Sequence, residues 1–397
     1  MDQSTEQKKN NKPIIAALLF LALWASAGIL FFSHGTKTLE PQTPRSSQQI
    51  IELWSHKTHG QVLSNPVFVG DLIVYGTLDG KLAAISSATG LIEWQHDFNA
   101  PLFAITSDEA GTIYAGTGLH FDTQSLLISI NAKDGKINWQ TELPGHLEEP
   151  PVLDIKNHRL WTSGGPSGLW EIDTRDGLRI RNITLGHADT TALHNNGTLY
   201  APFQNGEDKI DSTFYAINAH TGETIWSLPL QGQPWATPIL NKHKNKILTN
   251  TGIGQIGARR ASDRGWAQAI SLDGKLIWET ELPDMALAPN IYIPENDMII
   301  YTCKNGELVA LNAETGEKIW NNKVTTEFRS EAIALDNSST PIIAALSVDG
   351  NLTALETRHG QILWSRPMHE DGPSSPAVKD NLLIVPTVFT INALKIE

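Results

Sequence analysis

From residue 50 onward, apolar and polar positions alternate in short runs broken by glycine turns, and one such run recurs along the chain. It reads AISSATGLIEW at 84–94, SINAKDGKINW at 129–139 and AINAHTGETIW at 216–226. It returns as AISLDGKLIW at 269–278, ALNAETGEKIW at 310–320 and ALETRHGQILW at 354–364. A further copy, EIDTRDGLRIR at 171–181, carries Arg181 where the others have tryptophan. The turn glycines are Gly90, Gly135, Gly177, Gly222, Gly274, Gly316 and Gly360, spaced by 45, 42, 45, 52, 42 and 44 residues. Two-residue alternation predicts strands, and Thr-Gly, Asp-Gly or His-Gly supplies the positive φ that a tight hairpin turn requires. Two shorter strands are expected upstream of most copies, for example in 64–80 and 374–388. Four strands in about 45 residues is the period of a propeller blade.

The two ends of this region complete the pattern. IIELW (50–54) is a fourth strand with its Trp54 but no blade before it, and the last blade finishes on a third strand, INALKI (391–396). Pairing the first with the last closes the ring and hides both edges. The fourth-strand positions are then Trp54, Trp94, Trp139, Arg181, Trp226, Trp278, Trp320 and Trp364, one for each of eight blades. The expected fold is therefore all-β, an eight-bladed β-propeller of four-stranded antiparallel blades over 50–397. A ring recurring at one blade position is read as packing between neighbouring blades rather than as a ligand platform. The blade carrying Arg181 is expected to pack less well.

This pattern resembles the PQQ-like propeller repeat, a superfamily named for quinoprotein alcohol dehydrogenases and widespread in proteins that bind no quinone. The resemblance covers essentially all of 50–397. In size and compartment it is most similar to the BamB family, the propeller subunits of the outer-membrane β-barrel assembly machinery. Members of that family are lipoproteins with an acylated cysteine at the mature N-terminus, and no cysteine follows closely on the N-terminal apolar run here. The resemblance implies protein–protein scaffolding, with envelope or membrane proteins as partners and β-barrel assembly subunits among them. The superfamily's quinone enzymes use an adjacent cysteine pair, a calcium site and a catalytic Asp. One cysteine, Cys303, excludes the pair, and no calcium site maps onto this chain. No enzyme activity and no cofactor are expected, a quinone-binding protein being the alternative, and a glycan-binding domain a third.

Ahead of the repeats, Ile14–Phe32 is uncharged and would span about 29 Å as a helix, close to the ~30 Å bilayer core. Ala25-Ser26-Ala27 allows the rival reading of a cleaved signal peptide, but cleavage there would expose Ile29-Leu30-Phe31-Phe32 at a new terminus. The expectation is a cytoplasmic tail (1–12), a transmembrane helix (13–32), a Ser/Thr/Pro/Gln-rich linker (33–49) and the propeller (50–397). Lys8, Lys9 and Lys12 precede the helix, which favours an inner-membrane anchor with the propeller in the periplasm. A formal net charge of −13 argues against a nucleic-acid partner.

Little in the sequence announces chemistry. Gly252, Gly254 and Gly257 match G-x-G-x-x-G, but no helix is expected to follow them. The segment is read as an enlarged loop whose Arg259, Arg260 and Arg264 either sit in solvent or bind a partner. The 13 histidines are scattered, and surface or turn positions are expected for them, with no metal set. Cys303 lies in an apolar run and is expected to be a buried, inert thiol. The candidate partner face carries the loops between blades and those joining second to third strands. On it, Trp235, Arg259, Arg260, Arg264, Phe328 and Arg329 are the residue types that make interface hot spots, although Trp235 could equally pack a blade.

Overall fold

The computed structural model describes residues 50–206, 210–255, 260, 262–335 and 341–396. The expected tail, anchor and linker lie outside the described residues, as does Arg259. Among the described residues no helix is long and apolar enough to cross a membrane. The chain divides into two compact units: the ring, 44–253 with 264–397, and a second unit to which 254–263 belongs. Within that segment the Arg260 guanidinium donates to Gln255 Oε1 at 2.7 Å, and the Arg260 backbone N–H to Asp263 at 3.0 Å.

The ring is eight antiparallel sheets. Blades 1 to 7 span residues 67–97, 102–144, 152–183, 193–231, 233–282, 291–323 and 333–367. Blade 8 takes its first three strands from 377–396 and its fourth, Ile50–Lys57, from the other end of the repeat region. That strand runs antiparallel to Thr390–Ile396, from Ile50 opposite Ile396 to Lys57 opposite Thr390. Blade 5 has one extra short strand, Gln233–Pro234, paired with Gly252 and Thr251. Ten residues, 254–263, separate its strands Lys246–Ile253 and Arg264–Ser271, and this is where the long repeat spacing goes. Gly252 itself lies in the strand Lys246–Ile253, so no helix N-terminus stands there for a dinucleotide phosphate.

Second and third strands are covered on both faces, and their sequences are correspondingly continuous: MIIYT (298–302) and IIAAL (342–346) are buried at every position. Fourth strands alternate between covered and exposed, as at Ile92–Asp97. The buried apolar residues form eight clusters, and each cluster belongs to a joint between two neighbouring blades. Leu248, Ala269 and Trp278 of blade 5, for instance, pack with Ile299, Tyr301 and Val309 of blade 6.

The tryptophans make those joints as expected. Every one of these indoles except Trp364 lies over the turn glycine of the next blade: a Cβ on Gly90 would stand 2.6 Å from the Trp54 ring, and one on Gly316 2.6 Å from Trp278. Both glycines have φ near +70°, so the turn and the close approach each require glycine there. The indole N–H then donates to a carbonyl of the same turn, from Trp94 to Ala132 at 2.7 Å and from Trp320 to Thr357 at 2.8 Å.

In the blade with Arg181 a different group fills the tryptophan's place, with Arg181 Nη1 and Glu171 Oε2 buried without a hydrogen-bond partner. The Arg181 guanidinium occupies the indole's place over Gly222, and its Nη2 donates to His220 O at 2.8 Å. Its Nε lies 3.6 Å from Glu171, which Arg159 pairs at 3.1 Å. The joint at Trp364 is irregular as well. Its indole N–H is buried without an acceptor, because blade 8 joins two chain ends where the other blades have a turn.

Candidate functional site

Antiparallel strands run up and down each blade, so inter-blade loops and second-to-third-strand loops share one face. On that face three of the 13 histidines converge on one carboxylate. His120 lies in the second-to-third loop of blade 2, His146 in the loop from blade 2 to blade 3, and His187 and Asp189 in the loop from blade 3 to blade 4. His187 Nε2 stands 2.6 Å from Asp189 Oδ1, His146 Nε2 3.0 Å and His120 Nδ1 3.7 Å. The three ring centroids form a near-equilateral triangle with sides of 5.0, 5.7 and 5.8 Å.

Local backbone explains each placement. Asp122 closes the turn that carries His120 by accepting from the Leu119 N–H at 2.7 Å. Gly145, at φ +94°, allows the chain before His146 to pass Gly164, whose carbonyl oxygen a Cβ would meet at 1.9 Å. Any side chain at Gly165 would enter the His146 ring itself, with a Cβ at 2.2 Å. His187 exchanges both backbone hydrogen bonds with Gln204 and Ala188 does the same with Gly165, which holds 187–189 extended. In an extended segment, residues two apart point the same way, and so His187 and Asp189 meet.

Electrostatics follow from burial against these contacts. Burial opposes ionisation of Asp189, but hydrogen bonds from His146 and His187 and the nearby imidazoles outweigh it, holding the carboxyl far below its ordinary range. Burial likewise disfavours a charged His146, but the bond to Asp189 and the charges of Glu148, Asp189 and Asp122 prevail and raise it. Two neighbours go the other way. Desolvation pushes Glu148 up to about 7 against the pull of His146, and Glu149 up to about 8 against a hydrogen bond from Thr237.

Glu149 points inward at the mouth of the central channel. Thr237, two blades away in blade 5, donates to its Oε2 at 3.3 Å. The charge of Glu331, from the loop entering blade 7 on the opposite side of the ring, raises it further. Glu331 is itself pushed up to about 7 by desolvation. These carboxyls are partly accessible but solvated only by what the channel holds, which accounts for their reluctance to ionise. The atoms that could hold a metal are His120 Nδ1, His146 Nε2, His187 Nε2 and a carboxylate oxygen of Asp189, all within 4.8 Å of one another.

The sequence-predicted residues scatter by comparison. Arg264 is exposed and lies 3.6 Å from Glu281. Arg260 is exposed within its own unit. Phe328, expected on the surface, is 1% exposed and packs in the joint between blades 6 and 7, because the loop entering blade 7 turns its ring inward. Arg329 is nearly covered and pairs with Glu327. Trp235 is half-buried with its indole N–H 3.3 Å from Gly252 O, which makes it part of blade 5's packing. Cys303 is fully buried in the joint of blades 5 and 6, and its thiol is pushed far up by desolvation.

Sequence reasoning missed the histidine cluster, since its members stand 26 and 41 residues apart. One signal was present. Gly118, Gly145 and Gly186 each precede a histidine by one or two residues, in loops that the repeat assigns to a single face. The face's exposed apolar side chains were missed too: Phe121 and Phe389 in second-to-third loops of blades 2 and 8, and Ile210 in that of blade 4.

Comparison with known proteins gives a consistent picture. Outer membrane protein assembly factor BamB of Yersinia pestis is 26% identical over 252 residues, 62% of this chain and 53% of its own. The protein of that name from Moranella endobia is 25% identical over 269 residues, 65% of this chain and 64% of its own. A polyvinylalcohol dehydrogenase of Sphingopyxis is 26% identical over 286 residues, 60% of this chain and 41% of its own. The chain thus spans 41% to 64% of the length of these curated relatives. Among solved structures, BamB from Moraxella catarrhalis superposes with a TM-score of 0.67 at 15% identity, covering 87% of this chain and 98% of that one, which speaks for the fold alone. A family model described as outer membrane protein assembly factor BamB matches residues 51–145, 99–234 and 181–392. Those overlapping matches run through all eight blades, and the chain belongs to that family.

Proposed function

We propose that this propeller is a non-catalytic docking platform for other envelope proteins, as the name of its BamB relatives, outer membrane protein assembly factor, suggests. The observation that carries the reading is the apolar exposure of the loop face, where Phe121 is 70% exposed and Phe389 and Ile210 are also exposed. Exposed aliphatic residues also stand elsewhere on the ring, Leu91 and Leu178 among them, but the exposed aromatic ones, Phe121 and Phe389, are at loop tips of this face, and aromatic residues suit a protein interface. Arg264, exposed on the same face, adds a charged rim. The lone Cys303, sealed in a blade joint, gives the dehydrogenase reading no counterpart to a cysteine pair at the channel. The uncharged run 14–32 supports an inner-membrane anchor, which would hold the ring in the periplasm.

The test is crosslinking capture from native envelopes with the double variant Phe121→Glu, Phe389→Glu. Capture of the partner should fall at least about tenfold while the melting curve is unchanged. Undiminished capture by a folded variant would remove the loop face from the interface.

A further inference from the structure

We propose that His120, His146, His187 and Asp189 bind a divalent first-row transition-metal ion, with Zn²⁺ the best fit, on the loop face of blades 2 to 4. The site goes beyond docking and does not depend on it. The donor set comes first. Three imidazoles with one carboxylate suit Zn²⁺ and its neighbours, whereas Ca²⁺ and Mg²⁺ take oxygen ligands.

Geometry comes next. Four ligands around Zn²⁺ at 2.0–2.1 Å stand about 3.3 Å from one another. Asp189 Oδ1 already lies 2.6, 3.0 and 3.7 Å from the three ring nitrogens, values that bracket that separation. The widest separation in the set is 4.8 Å, so small shifts of side chains bring all four into register.

Without an ion, His146 and His187 can each donate an N–H to Asp189 Oδ1, at 3.0 and 2.6 Å. The same atoms, with the other tautomer of each ring, present their lone pairs to an ion at the centre. Rigidity is supplied by packing: His146 is fully buried against Gly165, and the backbone pairs His187–Gln204 and Ala188–Gly165 fix the third loop. Access is supplied by the other two ligands, His120 and Asp189, whose side chains are 42% and 30% exposed. Bound there, the ion would tie together loops from three successive blades and fix the turn that presents Phe121.

The experiment uses the full-length, tag-free chain, stripped with a chelator and titrated with Zn²⁺ against a chromophoric chelator, then with Co²⁺ for its visible spectrum. One equivalent should bind at micromolar or lower dissociation constant, and Co²⁺ should show the intense bands of four-coordinate geometry. His120→Ala removes an exposed ligand with little risk to folding and should weaken binding at least about tenfold. Asp189→Asn should weaken it as well. Zn²⁺ should raise the melting temperature of the wild type and not that of His120→Ala. Absence of stoichiometric binding by the wild type overturns the proposal. Binding of undiminished strength by folded His120→Ala also overturns it, because the metal would then sit elsewhere.

Discussion

At the seams between blades the same joint is made again and again, whereas at the channel mouth there is no such common joint. Trp94, Trp139, Trp226, Trp278 and Trp320 each lie against a glycine of the next blade and each donate an indole N–H to that turn. The mouth holds His146 and Glu149 before blade 3, Asp189 before blade 4, Thr237 in blade 5 and Glu331 before blade 7. At the seams those five indole N–H groups are all paired. At the mouth the Nδ1 atoms of His146 and His187 are buried without a partner, and three carboxyls resist ionisation. Repetition in this protein serves stability. Chemistry collects where the repeat has been abandoned.

The comparison is tested most forcefully at a seam. Trp278→Ala should lower stability by about 3–5 kcal/mol, measured by denaturant unfolding, since it removes a nearly buried ring from the core shared by blades 5 and 6. A loss below about 1 kcal/mol would mean that the tryptophans do not hold the joints.

At the mouth the effect should be smaller and depend on pH. Glu331 has a folded-state value raised from 4.5 to about 7, so the folded protein binds that proton more tightly than the unfolded chain. Its stabilising contribution is full below about pH 4.5 and disappears as pH rises through about 7. Between about pH 5 and 8 this group should cost the wild type about 1–2 kcal/mol, after allowance for the water that reaches it. Glu331→Gln should lack that share of the decline and be the more stable protein at the upper end. Parallel pH profiles for the two would show that the mouth is solvated like an open surface.

The smallest contrast lies within the seams. Trp278→Phe gives up the hydrogen bond to Ala313, whereas Trp364→Phe gives up none, because its indole N–H has no acceptor. The first should be the more destabilising by about 1 kcal/mol. Equal losses would imply that the closing blade supplies an acceptor after all.

How much of this was legible in the sequence varies with the range of the interaction. The eight blades, the turn glycines and the pairing of Ile50–Lys57 with the final strand could be read from spacing alone. The face used by the loops followed from strand direction. Its residues did not. Phe328 looked exposed and is buried, since a loop residue's burial depends on which way the loop enters the next blade. Arg181 looked like a flaw and is a substitute, because a guanidinium can both cover a glycine and donate to the same turn. Glu171 stands opposite it in the hairpin register, where Ala84, Ala216 and Ala310 stand opposite their tryptophans.

The sequence by itself determined the architecture of the ring, because each blade joint depends on residues of one repeat and the next, and the period writes that contact into the chain. Only the tertiary structure decided that His120, His146, His187 and Asp189 share a site. Those residues come from three loops whose meeting depends on the radial order of blades and on glycines that let backbones pass at contact distance. A repeat can encode its nearest neighbours. It cannot encode which departures from it will end up face to face.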